Sequence, residues 1–251
     1  MTGPEQRRAV VRALVGAQPE APGAEPEGMV GWLRRLCSAA VHALPATGAG
    51  VSVMTADGVR AVAAASDAAS AALEEAQFTL GEGPCIEAFT ARRPVLEPDL
   101  DAGSVTGTGP AARWPGYVAA AQKRGVRAVF AFPLQVGAAR LGVLDVHRDS
   151  PGILTSSALA QALTFAEVAV ETLLDGQEHA PVGTTEATLG RALESQFTVY
   201  QAQGMAMVDL GVSLADAMAR LQAHAYSEDR SLHEVARDVV EGRLRLEPDQ
   251  P

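Results

Sequence analysis

The stretch "GVRAVFAFPLQVGAARLGVLDVHR", Gly125 to Arg148, decides the fold. It reads as two strongly hydrophobic strands joined by a short turn at Gly137, Ala138 and Ala139. Working outward, "AGVSVMTADGVRAVAAAS", Ala49 to Ser66, gives two β-branched runs around Asp57-Gly58, a hairpin signal. "RPVLEPDL", Arg93 to Leu100, reads as a strand followed by a turn, and "TGTGPAARWPGY", Thr106 to Tyr117, as a loop. Helices are expected from Met29 to about Leu44, from Ala68 to Gln77, and over Val118 to Lys123 with Gly125 closing the last. In the first of these Val30, Leu33, Cys37, Ala40 and Leu44 recur every three or four positions, which places Cys37 on the buried side. The expected class is α+β: an antiparallel sheet with flanking helices, then a separate helical unit.

The boundaries follow from composition and period. Residues 1–28 form an N-terminal extension, a short helix followed by the Pro- and Glu-rich "AQPEAPGAEPEG". The main domain spans 29–175 and ends in a helix from Thr155 whose Leu159, Leu163, Ala166, Val170 and Leu173 are spaced four, three, four, three. That spacing fits either a coiled-coil seam or a helix lying on its own sheet. Gly176, Pro181 and Gly183 place a linker at 176–187. Three amphipathic helices fill 188–247, and 248–251 is a tail. The first carries Leu189, Leu193, Phe197, Tyr200, Met207 and Leu210. "SLAD" at Ser213 and "SLHE" at Ser231 start the other two with capping-box spacing, above faces of Leu214, Ala217, Met218, Leu221 and Ala225, and of Leu232, Val235, Ala236, Val239 and Val240.

The chain has 251 residues, is 47% hydrophobic and 20% charged, and carries a formal net charge of -10. That describes a globular protein with a core, and the charge argues against broad adhesion to nucleic acid or anionic membrane. No run of 18 or more apolar residues occurs and the N-terminus lacks a secretory pattern, so a cytoplasmic location without membrane contact is expected. Cys37 and Cys85 are expected to be two thiols. Histidines and cysteines show no zinc spacing, so neither metal nor cofactor is expected; His147 is expected at the surface, haem ligation being the other reading.

Cys85 stands in "GEGPCIEAF", Gly81 to Phe89, where a Gly-x-Gly-Pro turn opens a helix. A helix N-terminus lowers a thiol pKa, which would suit a sensor. The other reading is packing: Gly81 and Gly83 allow the turn, Pro84 suits the first helical turn, and Cys85 fills a small apolar space. No sequence feature brings a base to it, so no catalytic residue is assigned and no enzyme is expected. Glu82, Cys85, Trp114, Phe130 and Phe132 are the candidate lining of a ligand pocket.

Two resemblances enter on these residues. Residues 29–175 resemble a GAF domain, chiefly through "GEGPCIEAFTARRPVLEPDL" and the Gly125–Arg148 hairpin. Residues 188–246 resemble an ANTAR domain through Gln201-Ala202, Gly204, Leu210 to Ser213, Ala217, Leu221, Ala225, Leu232 and Val235-Ala236. The pairing is similar to actinobacterial GAF-ANTAR regulators. It implies a homodimer that binds paired hairpins in nascent RNA and suppresses transcription termination, with the first domain sensing a small molecule or other intracellular signal. GAF domains that reduce methionine sulfoxide use more than one thiol near the site, and the cyclic-nucleotide pattern of other GAF domains is absent here. Many ANTAR domains carry lysine where this chain has Gln203. Thr185 to Glu247 holds six arginines and ten carboxylates, a net of -4, which is unfavourable for phosphate contact. The candidate RNA-binding residues are Gln203, Arg220, His224, Tyr226 and Arg230, with Tyr200 expected to pack inward. Two alternatives stand beside this reading: a protein-interaction regulator without RNA binding, and a thiol redox sensor or enzyme centred on Cys85.

Overall fold

The computed structural model describes residues 3–19, 28–54, 60–103, 107–179, 184–228 and 230–246, with side chains over the same ranges except at 60 and 176–196. The Gly125–Arg148 stretch forms β4 (Ala128–Val136) and β5 (Ala139–Arg148), an antiparallel pair at the heart of a five-stranded sheet. β1 (Gly48–Met54) pairs with β5, β2 (Arg60–Ala65) with β1, and β3 (Val95–Glu97) with β4, giving the order β2-β1-β5-β4-β3. Every pairing is antiparallel, so alternate residues of each strand face opposite layers.

One layer is apolar. Phe130, Phe132, Leu134, Leu144 and Val146 point into it and meet α2 (Met29–Ala43) and α7 (Ser156–His179). α1 (Pro4–Gly16) joins this layer through buried Val11 and Val15, and its Arg8 and Arg12 pair with Glu171 of α7. Cys37 is buried here, as its helix face requires. α7 therefore lies on its own sheet: Ala166, Val170 and Leu173 are buried while Leu163 stays exposed, which favours the second reading of its spacing. Its segment Ser156–Asp175 is long and apolar enough to cross a membrane by length and composition; here it packs against α1, α2 and β4.

The other layer is made by α3 (Ala68–Leu80), α4 (Pro84–Ala91), α5 (Pro110–Arg113) and α6 (Pro115–Lys123). The expected loop around Trp114 is thus two short helices. Pro110 and Pro115 each begin one, because a missing N–H costs nothing in a first helical turn. α3 starts at an Asp67 cap and ends at Gly81 with φ 71°, and Gly83 follows at φ 136°, so the Gly-x-Gly turn is the backbone device expected.

The C-terminal bundle is α8 (Thr184–Leu210), α9 (Leu214–Ser227) and α10 (Leu232–Val240). α7 runs to His179 and α8 begins at Thr184, so the helices extend into the expected linker from both sides. Leu189 and Leu193 lie where side chains are not described. The core is small-residue packing: Val199, Ala202, Ala206, Ala217, Leu221, Ala225, Val235, Ala236 and Val239. The expected face of α8 is corrected by this. Phe197 and Tyr200 are exposed, because α9 and α10 approach closely only along the alanine stripe at 202 and 206. Leu214 is likewise exposed, while Ala217, Leu221 and Ala225 are buried as expected. Ser231 and Glu234 close a reciprocal capping box; at α9 Ser213 accepts from the Asp216 N–H, and the Asp216 carboxylate turns to the Ser213 hydroxyl.

Candidate functional site

The second layer of the sheet contains a buried polar cluster. β5 presents Asp145 and His147 to it, β1 presents Ser52, and the flanking positions are small: Gly50 and Ala131 lie on either side of Asp145. Above them α3 sets Ser70, Glu74 and Gln77 on one face at helical spacing. A Cβ at Gly50 would lie 2.7 Å from Glu74 Cγ, and one at Gly48 2.3 Å from Ser70 Oγ, so both glycines are what lets α3 sit this close. The Ser70 hydroxyl is 3.1 Å from His147 Nε2, and the Ser52 hydroxyl donates to Glu74 Oε2 at 3.0 Å.

Cys85 completes the cluster. Its backbone N–H donates to Gln77 Oε1 at 2.8 Å, which fixes the start of α4, and its thiol lies 3.7 Å from Met54 Sδ. Glu74, Cys85 and Asp145 bring one ligand atom each within 4.8 Å of one another. Burial raises the Glu74 carboxyl well above its usual range, and the Asp145 charge adds to this. Burial pushes Asp145 up to about 6 against hydrogen bonding with Glu74, Cys85 and Gln77. Neither Asp145 oxygen has a hydrogen-bond partner of good geometry, and nor does the buried Tyr117 hydroxyl. A buried polar atom without such a partner costs free energy, which makes this cluster the candidate site of the domain.

The residues expected to line a pocket are not brought together. Cys85 and Trp114 are in this layer, Trp114 edge-on to Tyr117 at 6.3 Å and stacked under Arg113. Phe130 and Phe132 point into the opposite, apolar layer, because strand alternation sends 129 and 131 to one face and 130 and 132 to the other. Glu82 is also corrected: its carboxylate accepts the backbone N–H groups of Gly116 and Tyr117 and so caps α6. His147 is buried within β5 rather than at the surface, and burial lowers its pKa. Glu74, Gln77, Tyr117 and Asp145 went unread in the sequence. One signal was available: an aspartate in the middle of the hydrophobic run "LGVLDVHR".

The C-terminal bundle docks on the outer side of α3. Thr79 Oγ1 accepts the Leu232 N–H at 3.2 Å, closing one of the free donors at the start of α10. Between the two halves lies a cleft of about 840 Å³ lined by Glu75 and Thr79 of α3, Lys123 of α6 and the Arg124 that follows it, and Tyr226, Ser227, Arg230 and Ser231. Lys123 Nζ is 5.9 Å from the Tyr226 ring. Burial pushes the Glu75 carboxyl up, and Glu234 adds to the effect.

Of the candidate RNA-binding residues, Tyr226 and Arg230 share this cleft, and Arg220 and His224 are not in its lining. Arg230 donates to Asp238, which also takes Arg243. Gln203 donates to the Leu214 carbonyl at 2.7 Å and ties α8 to α9. Tyr226 is exposed as expected, and Tyr200 is exposed to the same 44%, against expectation.

Comparison with known proteins places the two halves. The GAF domain family model matches residues 31–173, and the ANTAR domain model matches residues 187–240. No curated protein matches the chain. Among solved structures, similar ones include the GAF domain of an Acinetobacter phosphoenolpyruvate-protein phosphotransferase, with 9% identity, 71% of this chain and 98% of that one covered, and a TM-score of 0.48. Another is the free methionine-R-sulfoxide reductase of Neisseria meningitidis in complex with its substrate, with 13% identity, 70% and 92% covered, and a TM-score of 0.47.

Proposed function

We propose, on the premise that this chain belongs to the GAF domain family and carries a C-terminal ANTAR domain, that it is a signal-responsive RNA-binding regulator rather than an enzyme. The sensory half receives a small molecule or other intracellular signal. The output half, as a homodimer, binds paired hairpins in nascent transcripts and favours transcription read-through.

The observation that carries this reading is the double use of α3. One face holds Glu74 and Gln77 in the buried cluster, and the next holds Glu75 and Thr79 against the output bundle. A helix with a site on one side and a docked module on the other couples the two whenever its position differs between two states. Tyr226 and Arg230, the ring and the cation best suited to an unpaired base and a phosphate, stand at that junction. Lys123 and Arg124 add two positive charges beside an output domain that is itself acidic. The thiol alternative is not favoured, because the Cys85 side chain is sealed from solvent.

The test is binding of the full chain to paired-hairpin RNA at two salt concentrations. Salt-sensitive, hairpin-dependent binding is expected, and Arg230→Ala should lower the salt slope by about 1 while Tyr226→Ala weakens binding at both salts. No binding at low salt would sink the reading and move the protein to the protein-partner alternative.

A further inference from the structure

We infer that Glu74, Cys85 and Asp145 form a site for a divalent metal ion of the zinc class, enclosed between α3, α4 and β5. The three ligand atoms come from three separate elements yet lie within 4.8 Å of one another, all in buried residues. Zinc bonds of about 2.0–2.3 Å place neighbouring ligands roughly 3–4 Å apart, so a small inward closure of these side chains supplies three of the four ligands and leaves the fourth position to water or a small molecule. Scattered through the sequence at positions 74, 85 and 145, the ligands have no motif spacing; only the fold assembles them.

The surroundings fit an ion better than a packed core. Both Asp145 oxygens are buried without a well-formed hydrogen bond, as is the Tyr117 hydroxyl. Among the described residues, the groups acting directly on Glu74 and Asp145 are one another, Ser52, Gln77 and Cys85, and none of these is a cation. Two carboxylates and a thiol gathered out of water without a counter-charge are costly, and a bound cation offsets that cost directly. Gly50 and Ala131 beside Asp145 keep its flanks small. Gln77 accepts the Cys85 backbone N–H and so fixes where the thiol stands. A thiolate with two carboxylates selects a borderline-soft ion such as zinc over magnesium or calcium, which take oxygen ligands. Binding releases the protons these groups carry, so the ion and the protons compete for the site.

The test uses the full chain stripped with chelator and titrated with zinc, then with cobalt as a spectroscopic substitute. One equivalent of zinc is expected, with an intense thiolate-to-cobalt charge-transfer band in the near ultraviolet. Cys85→Ser should abolish the band and weaken zinc by more than about 100-fold, beyond the range seen for loss of outer-shell partners. Asp145→Asn, nearly isosteric, should keep the band and weaken zinc, so a folding failure of one variant leaves the other informative. Cys37→Ala should change neither readout. Folded wild-type protein with no stoichiometric zinc and no band overturns the inference and leaves a cluster satisfied by protons. A band that survives Cys85→Ser overturns it as well. The titration needs no RNA, so its failure is distinguishable from failure of the RNA reading.

Discussion

The two faces of the central sheet both bury apolar side chains, and they differ in what else they enclose. One is filled by Phe130, Phe132, Leu134, Leu144 and Val146 against α2 and α7, where the buried Thr164 hydroxyl is satisfied within its own helix by the Ala160 carbonyl. The other also buries apolar residues, among them Leu73, Phe89, Leu100, Trp114 and Val143, but encloses Ser52, Glu74, Gln77 and Asp145 in their midst. Apolar burial stabilises at about 25 cal/mol per Å², whereas a buried carboxylate stabilises little even when paired. Both faces therefore hold the domain together by apolar burial, and only the second carries a buried carboxylate pair that this term does not account for. That division is what singles out the site, more than any one residue in it.

The comparison can be broken most sharply on the apolar side. Phe132→Ala should cost about 3–5 kcal/mol in urea unfolding, because the ring is fully enclosed and its removal leaves a cavity. A loss below that range would mean the first face is not the principal core. The polar side makes the opposite prediction. Replacing Glu74 and Asp145 together by leucine and valine should leave the metal-free chain as stable or more stable by about 1–4 kcal/mol, while abolishing zinc uptake. A large destabilisation would show that the pair is structural. The smallest effect is at the docking contact: Thr79→Val removes the acceptor for the Leu232 N–H and should weaken docking by about 0.5–1.5 kcal/mol. Faster hydrogen exchange at the start of α10, with the sheet unchanged, would confirm it; uniform exchange would place the stability of α10 in the bundle alone.

Particular residues show how far the sequence could be read. The Gly125–Arg148 hairpin, the helix from Met29, the Gly81–Pro84 turn and the caps at Ser213 and Ser231 are local devices, and each stands where its own residues put it. α5 was missed because two prolines read as loop residues, although proline also begins helices. Phe197 and Tyr200 were misplaced because a period shows which residues share a face and not which of two apolar faces a neighbour will cover. The pocket was misread for a related reason. Phe130 and Phe132 were joined to Trp114 by character alone, when strand alternation separates them.

The sequence by itself determined the main hairpin and the longer helices with their caps, the two domain types and the buried position of Cys37. These depend on period, turn chemistry and capping, all of which act within a few residues. Only the tertiary structure decided that Glu74, Cys85 and Asp145 meet, and that Tyr226 and Arg230 face α3. Those contacts join residues far apart in the chain, and they follow from sheet register and helix docking. Strand pairing sets Asp145 beside Gly50, the glycines let α3 settle onto it, and the outer face of the same helix receives the output domain.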